Sequence, residues 1–194
     1  MLFPDPASPM PPGTRASVPK RVRAALLLAA AAGALGACTR PDAFAPACPQ
    51  LGLLPDGASL TRFAGSGHDI TDLVVDGRIT AIPATCHWAD DRHRKVEAKL
   101  QVAFSLNRGP AMRGRTVVVP YFVAVSENGT IYDKQVYALQ AGFPPNTDRL
   151  GVTSPEISML FPVSPEKSAV AYKITVSFQL TPEDLSFNRA HGPH

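Results

Sequence analysis

After residue 38 the sequence contains no long amphipathic helix, which excludes a helical bundle. It contains no internal repeat, so a solenoid is excluded as well. Cysteine is scarce, with residues at 38, 48 and 86 alone and no Cys-x-x-Cys. Thiol redox chemistry and thiolate zinc sites therefore lack their usual spacing. Gly-x-Ser-x-Gly is absent, so the sharp nucleophile turn of many hydrolases is not encoded. Gly65-x-Gly67 is followed by no Lys-Ser/Thr and opens no helix, so it is not a phosphate loop.

What is present begins with an export signal. Lys20, Arg21 and Arg23 precede an apolar run from Ala24 to Ala37. Basic residues, a short apolar stretch and a small-residue end are the layout of a secretory signal peptide. The run falls short of the roughly 20 residues a spanning helix needs. Leu35-Gly36-Ala37-Cys38 resembles the lipobox of bacterial lipoproteins. The resemblance implies cleavage between Ala37 and Cys38, lipidation of Cys38, and a protein held to a membrane by its lipid anchor. Thr39 stands where an aspartate would mark inner-membrane retention, so the implied address is the outer membrane's periplasmic face. Met1 to Pro19 carries six prolines and is long for a signal, and Met10 is a second candidate start.

The signal accounts for the apparent basicity. The whole chain has a formal charge of +3. Removing Arg15, Lys20, Arg21, Arg23 and Asp5 leaves 15 basic and 15 acidic residues, hence a neutral mature chain. No basic face remains for nucleic acid. With Cys38 lipidated, Cys48 and Cys86 are left in an oxidising compartment and are expected to form a disulfide.

Beyond the signal (1–37), residues 38–65 read as the lipidated N-terminus and a tether extended by Pro41, Pro46, Pro49 and Pro55. Leu51, Leu53 and Leu54 are expected to dock on the domain, and Leu60 to Phe63 reads as a short turn or edge strand. Residues 66–180 read as one all-β domain, a single antiparallel, immunoglobulin-like β-sandwich, because turn signals recur between β-branched stretches. Ile70–Val75 and Arg78–Trp88 are β-rich. The intervening Asp76-Gly77 suits either a turn or one long bulged strand. Val96, Ala98, Leu100, Val102, Phe104 and Leu106 alternate with polar neighbours, the mark of a half-buried strand. Thr116–Ser126 is apolar on both faces and reads as a central strand. Asn128-Gly129 fits a type I′ hairpin. Ile131–Phe143 and Pro155–Val163 follow as strands. Val170, Tyr172, Ile174, Val176, Phe178 and Leu180 are expected inward, with Ser177 outward. Residues 181–194 read as a short helical turn, capped by Thr181 with Pro182 after it, and a frayed tail from Asn188.

Few residues suggest chemistry. His87, Asp90, Asp91 and His93 offer nitrogen and oxygen ligands, but in no metal-binding spacing, so a solvated hairpin loop is the expectation and no metal or other cofactor is assigned. Trp88 is expected against the disulfide. Arg108, Arg113 and Arg115 gather on one loop that is expected to stay solvated; the alternative is a contact with lipid phosphates, periplasmic polyanions or an acidic partner surface. Ser66, His68 and Asp69 are too close in sequence to converge as a triad, and no enzymatic activity is expected. Asn128-Gly-Thr130 matches a glycosylation acceptor, which a bacterial lipoprotein signal makes incidental.

Cys48-Pro49, Thr61-Arg-Phe63, Cys86, Arg108-Gly-Pro110, Pro120-Tyr-Phe-Val123, Phe178–Glu183 and Asn188-Arg189 together are similar to a family of small uncharacterised lipoproteins of alphaproteobacteria. That resemblance implies a lipoprotein and brings no activity. The expected role is a binding, scaffold or accessory module in the cell envelope with a protein partner. The alternative is a ligand- or metal-binding periplasmic domain using the His87–Lys95 loop.

Overall fold

Three long β segments cross the molecule, and each is broken at one line. The computed structural model describes residues 44–65 and 67–192. The first segment is β3 (Leu73–Ala81) and β4 (Ala84–Trp88), the second β5 (Lys95–Leu100) and β6 (Ala103–Arg108), the third β9 (Arg149–Thr153) and β10 (Ile157–Pro162). The breaks fall together. Gln101 N–H donates to the Pro83 carbonyl at 3.0 Å, and Ser154 N–H donates to the Val102 carbonyl at 2.9 Å. Pro83 and Pro155 have no N–H to offer, so the ladder cannot run straight through this line. The result is a crease dividing one antiparallel surface into two sheets. One has the order β10-β5-β4; the other has β2-β3-β6-β9, with β2 spanning Ser59–Phe63.

The opposing sheet has the order β1-β11-β7-β8, formed by Gln50–Leu53, Tyr172–Phe178, Thr116–Glu127 and Thr130–Gly142. β1 runs parallel to β11, with Leu51 beside Ile174; the other pairings are antiparallel. β7 is central, as its two apolar faces require. Asn128 (φ 49°) and Gly129 (φ 82°) both adopt left-handed backbone, which makes the β7–β8 turn type I′.

The core lies between these layers. All six residues of the alternation 96–106 are buried, and the burial continues unbroken across the crease at Val102. Phe104 meets Tyr121 and Phe178 from the opposite sheet, with ring centroids 5.2 and 5.6 Å away. Phe161 meets Tyr172 in the same way at 5.2 Å. Gly77 sits inside β3, not in a turn. A Cβ there would press on Leu106 and approach the Phe178 ring.

Several expectations are corrected. Within residues 38–65, read as the lipidated N-terminus and tether, Gln50–Leu53 form β1, while residues 60–63, read as a short turn or edge strand, fall in the edge strand β2 with Leu60 fully buried. The prolines bracket these short strands without interrupting them. β9 had no counterpart in the sequence reading. Val170 lies in a single 3-10 turn (Ala169–Ala171) and is 44% exposed. Ser177, expected outward, is buried, because the turn Pro55–Gly57 packs onto it and the Gly57 carbonyl accepts its hydroxyl at 3.4 Å. The C-terminal turn is a full helix, α1 (Pro182–His191). Thr181 and Asp184 form a reciprocal capping box there. Asn188 is not frayed; it is buried and donates to the Asp56 and Ser59 carbonyls, each at 2.8 Å. Ala37 and Cys38 lie outside the described residues.

Candidate functional site

Cys48 and Cys86 form a disulfide across 5.6 Å of Cα separation. It ties the segment before β1 to β4 and fixes the base of the β4–β5 loop. Within that loop the expected metal ligands diverge. His87 Nε2 bonds Glu97 at 2.7 Å, its register partner on β5. Asp90 Oδ1 accepts the N–H groups of Arg94 and Lys95 at 2.8 and 3.2 Å, so it shapes the turn. His93 stacks on Trp88 with ring centroids 4.5 Å apart. Asp91 is exposed. Among the described residues no three His, Cys, Asp or Glu side chains are grouped to hold a metal ion.

The outer face of the same sheet holds a cluster that sequence reasoning missed. Glu97 takes the Ser158 hydroxyl on one carboxylate oxygen and His87 on the other. These bonds, that of Ser158 foremost, hold the Glu97 carboxyl below the usual carboxylate range. Serine and histidine both point at the carboxylate and not at each other, so the wiring activates no nucleophile. The sequence carried one signal of this cluster. Glu97 is an outward position of a clean alternation, where it must pair across strands.

His68 lies near Glu183 (3.8 Å) and packs against the rings of Phe63 and Phe187, at 5.2 and 5.4 Å. Asp69 precedes a single 3-10 turn, and its side chain makes no capping bond. Ser66 lies outside the described residues.

The arginine loop is largely spent on structure. Arg108 donates to the carbonyls of Gly114 (3.2 Å) and Met112 (3.1 Å) and stands 3.6 Å from Asp148. Arg115 donates to the carbonyls of Phe143, Pro144 and Thr147. These two guanidinium groups staple the loop before β7 and the loop after β8. Arg113 is the exposed member.

Two clefts of ligand size remain. One, of about 590 Å³, opens between the turn end of the β7–β8 hairpin and β10. Tyr132, Met159, Leu160, Phe161 and Tyr172 give it apolar walls. Lys167 lies at its side, 2.9 Å from Glu127 and 4.4 Å over the Tyr172 ring. The bond to Glu127 leads in raising the Lys167 pKa above its ordinary value. The second cleft, of about 530 Å³, lies beside the β4–β5 loop.

No family model, curated protein or solved structure gives a significant match to this chain.

Proposed function

We propose that this is an exported lipoprotein, anchored through Cys38 at the periplasmic face of the outer membrane, and that it acts as a non-enzymatic binding or scaffold module. Its occupant is an extended segment of an envelope protein, added as a further strand along β8 with side chains entering the 590 Å³ cleft. The observation that supports this most directly is the state of β8. Residues 130–136 are all exposed, and β8 ends its sheet. Ile131, Tyr132 and Val136 are 65, 64 and 57% exposed, and Leu160 on the facing edge strand β10 is 60% exposed. A long apolar edge is a ready template for strand addition, with main-chain bonds giving affinity and pockets giving choice. Asp133 and Lys134 interrupt the edge with charge, a usual guard against indiscriminate pairing.

The test is a photoactivatable residue at Val136 in intact cells. The expected result is one discrete adduct, lost when Leu160→Lys or Ile131→Lys is added while the melting temperature is kept. No adduct, or one indifferent to both lysines, would overturn the docking reading. The anchor is read separately. Cys38→Ser should release the protein from membranes and abolish acyl labelling.

A further inference from the structure

The second cleft has a composition that the docking reading does not use. Its charged and titratable lining is Arg92, His93 and Arg94, and no carboxylate lines it. Trp88 forms part of the wall, with His93 stacked on it, and Val163 and Ala169 add apolar surface. A volume of about 530 Å³ falls in the range of small-molecule sites.

The arginines project from a firmly built loop. The Arg94 N–H is held by the Asp90 carboxylate at 2.8 Å, and the Arg94 carbonyl accepts the Val163 N–H at 2.8 Å. Ala89 N–H closes the loop on the Lys95 carbonyl at 2.9 Å. His93 is kept at φ 54°, a conformation that non-glycine residues adopt only where their surroundings fix them. Of the acidic groups nearby, Asp91 is exposed and does not line the cleft, and the other two are engaged elsewhere. Asp90 is turned to the backbone, and Glu166 takes the Ser164 hydroxyl at 2.9 Å. Neither Arg92 nor Arg94 has a side-chain bond or ion pair among the described residues. Two cations without an ion pair, lining one cleft beside an aromatic ring, favour an anion that joins them.

We infer that this cleft binds an organic anion, an oxyanion group of the phosphate class carried on a ring or apolar body. Guanidinium groups bind such oxygens through charge-assisted, often paired hydrogen bonds. The Ser168 hydroxyl in the lining accepts the Val170 N–H and keeps its own proton to donate to such a group. The Trp88 indole and the aliphatic wall take the body of the ligand. Two sources offer this chemistry, a soluble phosphate ester and a phosphodiester lipid headgroup. Pro46 and Ala47 line the cleft, and Pro46 is eight residues after Cys38. Fully extended, that stretch reaches about 28 Å at most. The lipid source therefore rests on the anchor reading, whereas the chemistry of the cleft does not.

Trp88 is the chain's single tryptophan, so its fluorescence reports this cleft alone. The full chain with Cys38→Ser is titrated with phenyl phosphate, with phenol, and with phosphatidylglycerol or phosphatidylcholine vesicles. The expected result is a saturable change in Trp88 emission, weakened about tenfold or more in both Arg92→Ala and Arg94→Ala. Arg113→Ala serves as the unaffected control. A response to phenyl phosphate assigns a soluble ester. An Arg92- and Arg94-dependent response to phosphatidylglycerol vesicles without one to phenyl phosphate assigns a headgroup. No response to either, a response equal with phenol, or one indifferent to the two arginines would overturn the inference. None of these variants touches β8 or the crosslink at Val136.

Discussion

The Ser154 hydroxyl accepts the Val102 N–H at 2.9 Å and donates to the Pro155 carbonyl at 2.8 Å. Ser154 is 2% exposed and Val102 is fully buried, so this pair repairs, away from bulk solvent, the hydrogen bonding that the crease interrupts. Ser154→Ala leaves the Val102 N–H buried and unpaired. Stability should fall by about 1–3 kcal/mol, read as a lower urea midpoint at an unchanged slope.

The disulfide should matter more. It closes a loop across a separation of 38 residues. On the chain-entropy account that is worth roughly 3–4 kcal/mol. Cys48→Ala with Cys86→Ala should lose most of this in chemical unfolding, and reductant should then have no further effect.

Gly109 is predicted to resist any side chain. A Cβ there would overlap the Leu73 carbonyl oxygen, which already accepts the Ala111 N–H at 2.9 Å. Backbone cannot rotate away as a side-chain tip can. Gly109→Ala should therefore destabilise by about 1–3 kcal/mol, measured by thermal melting. Gly114→Ala is the comparison, with open space around it but φ 85°.

The Glu97 carboxyl gives a pH signature. Its pKa is held down by the Ser158 hydroxyl first and by His87 second. A carboxyl with a depressed folded pKa contributes stability above its unfolded pKa, and loses it as pH falls through the folded value. Carboxyl NMR titration should place Glu97 below the ordinary glutamate range. Ser158→Ala should raise it further than His87→Ala does. A Glu97 titrating in the ordinary range would remove the hydrogen bonds from the account.

Much of this fold could be read from residue order. The alternation from Val96 to Leu106 specified its buried face completely. The two-faced apolar run of β7 specified a central strand, Asn128-Gly129 its turn, and Thr181-Pro182 the start of α1. What escaped the reading depends on distant partners. β1 is four residues bracketed by prolines, and it becomes a strand through β11. Ser177 looks solvated in its own strand pattern, and only the turn carrying Gly57 hides it. The candidate site was half legible. The cluster at 87–95 stood out by composition. Composition could not tell that His87 would turn to Glu97 while Trp88, Arg92 and Arg94 line one cleft, because those directions follow from strand register.

The pairing of β1 with β11 also orders events in time. β1 is made early, and its neighbour is among the last strands to be made. Until β11 arrives, this sheet lacks the strand that joins β1 to β7, and such long-range closure is a slow step. Cys48 and Cys86 are both present long before then. Their bond can form first and keep β1 beside the growing domain, so the covalent link is a placeholder for a neighbour that has yet to arrive.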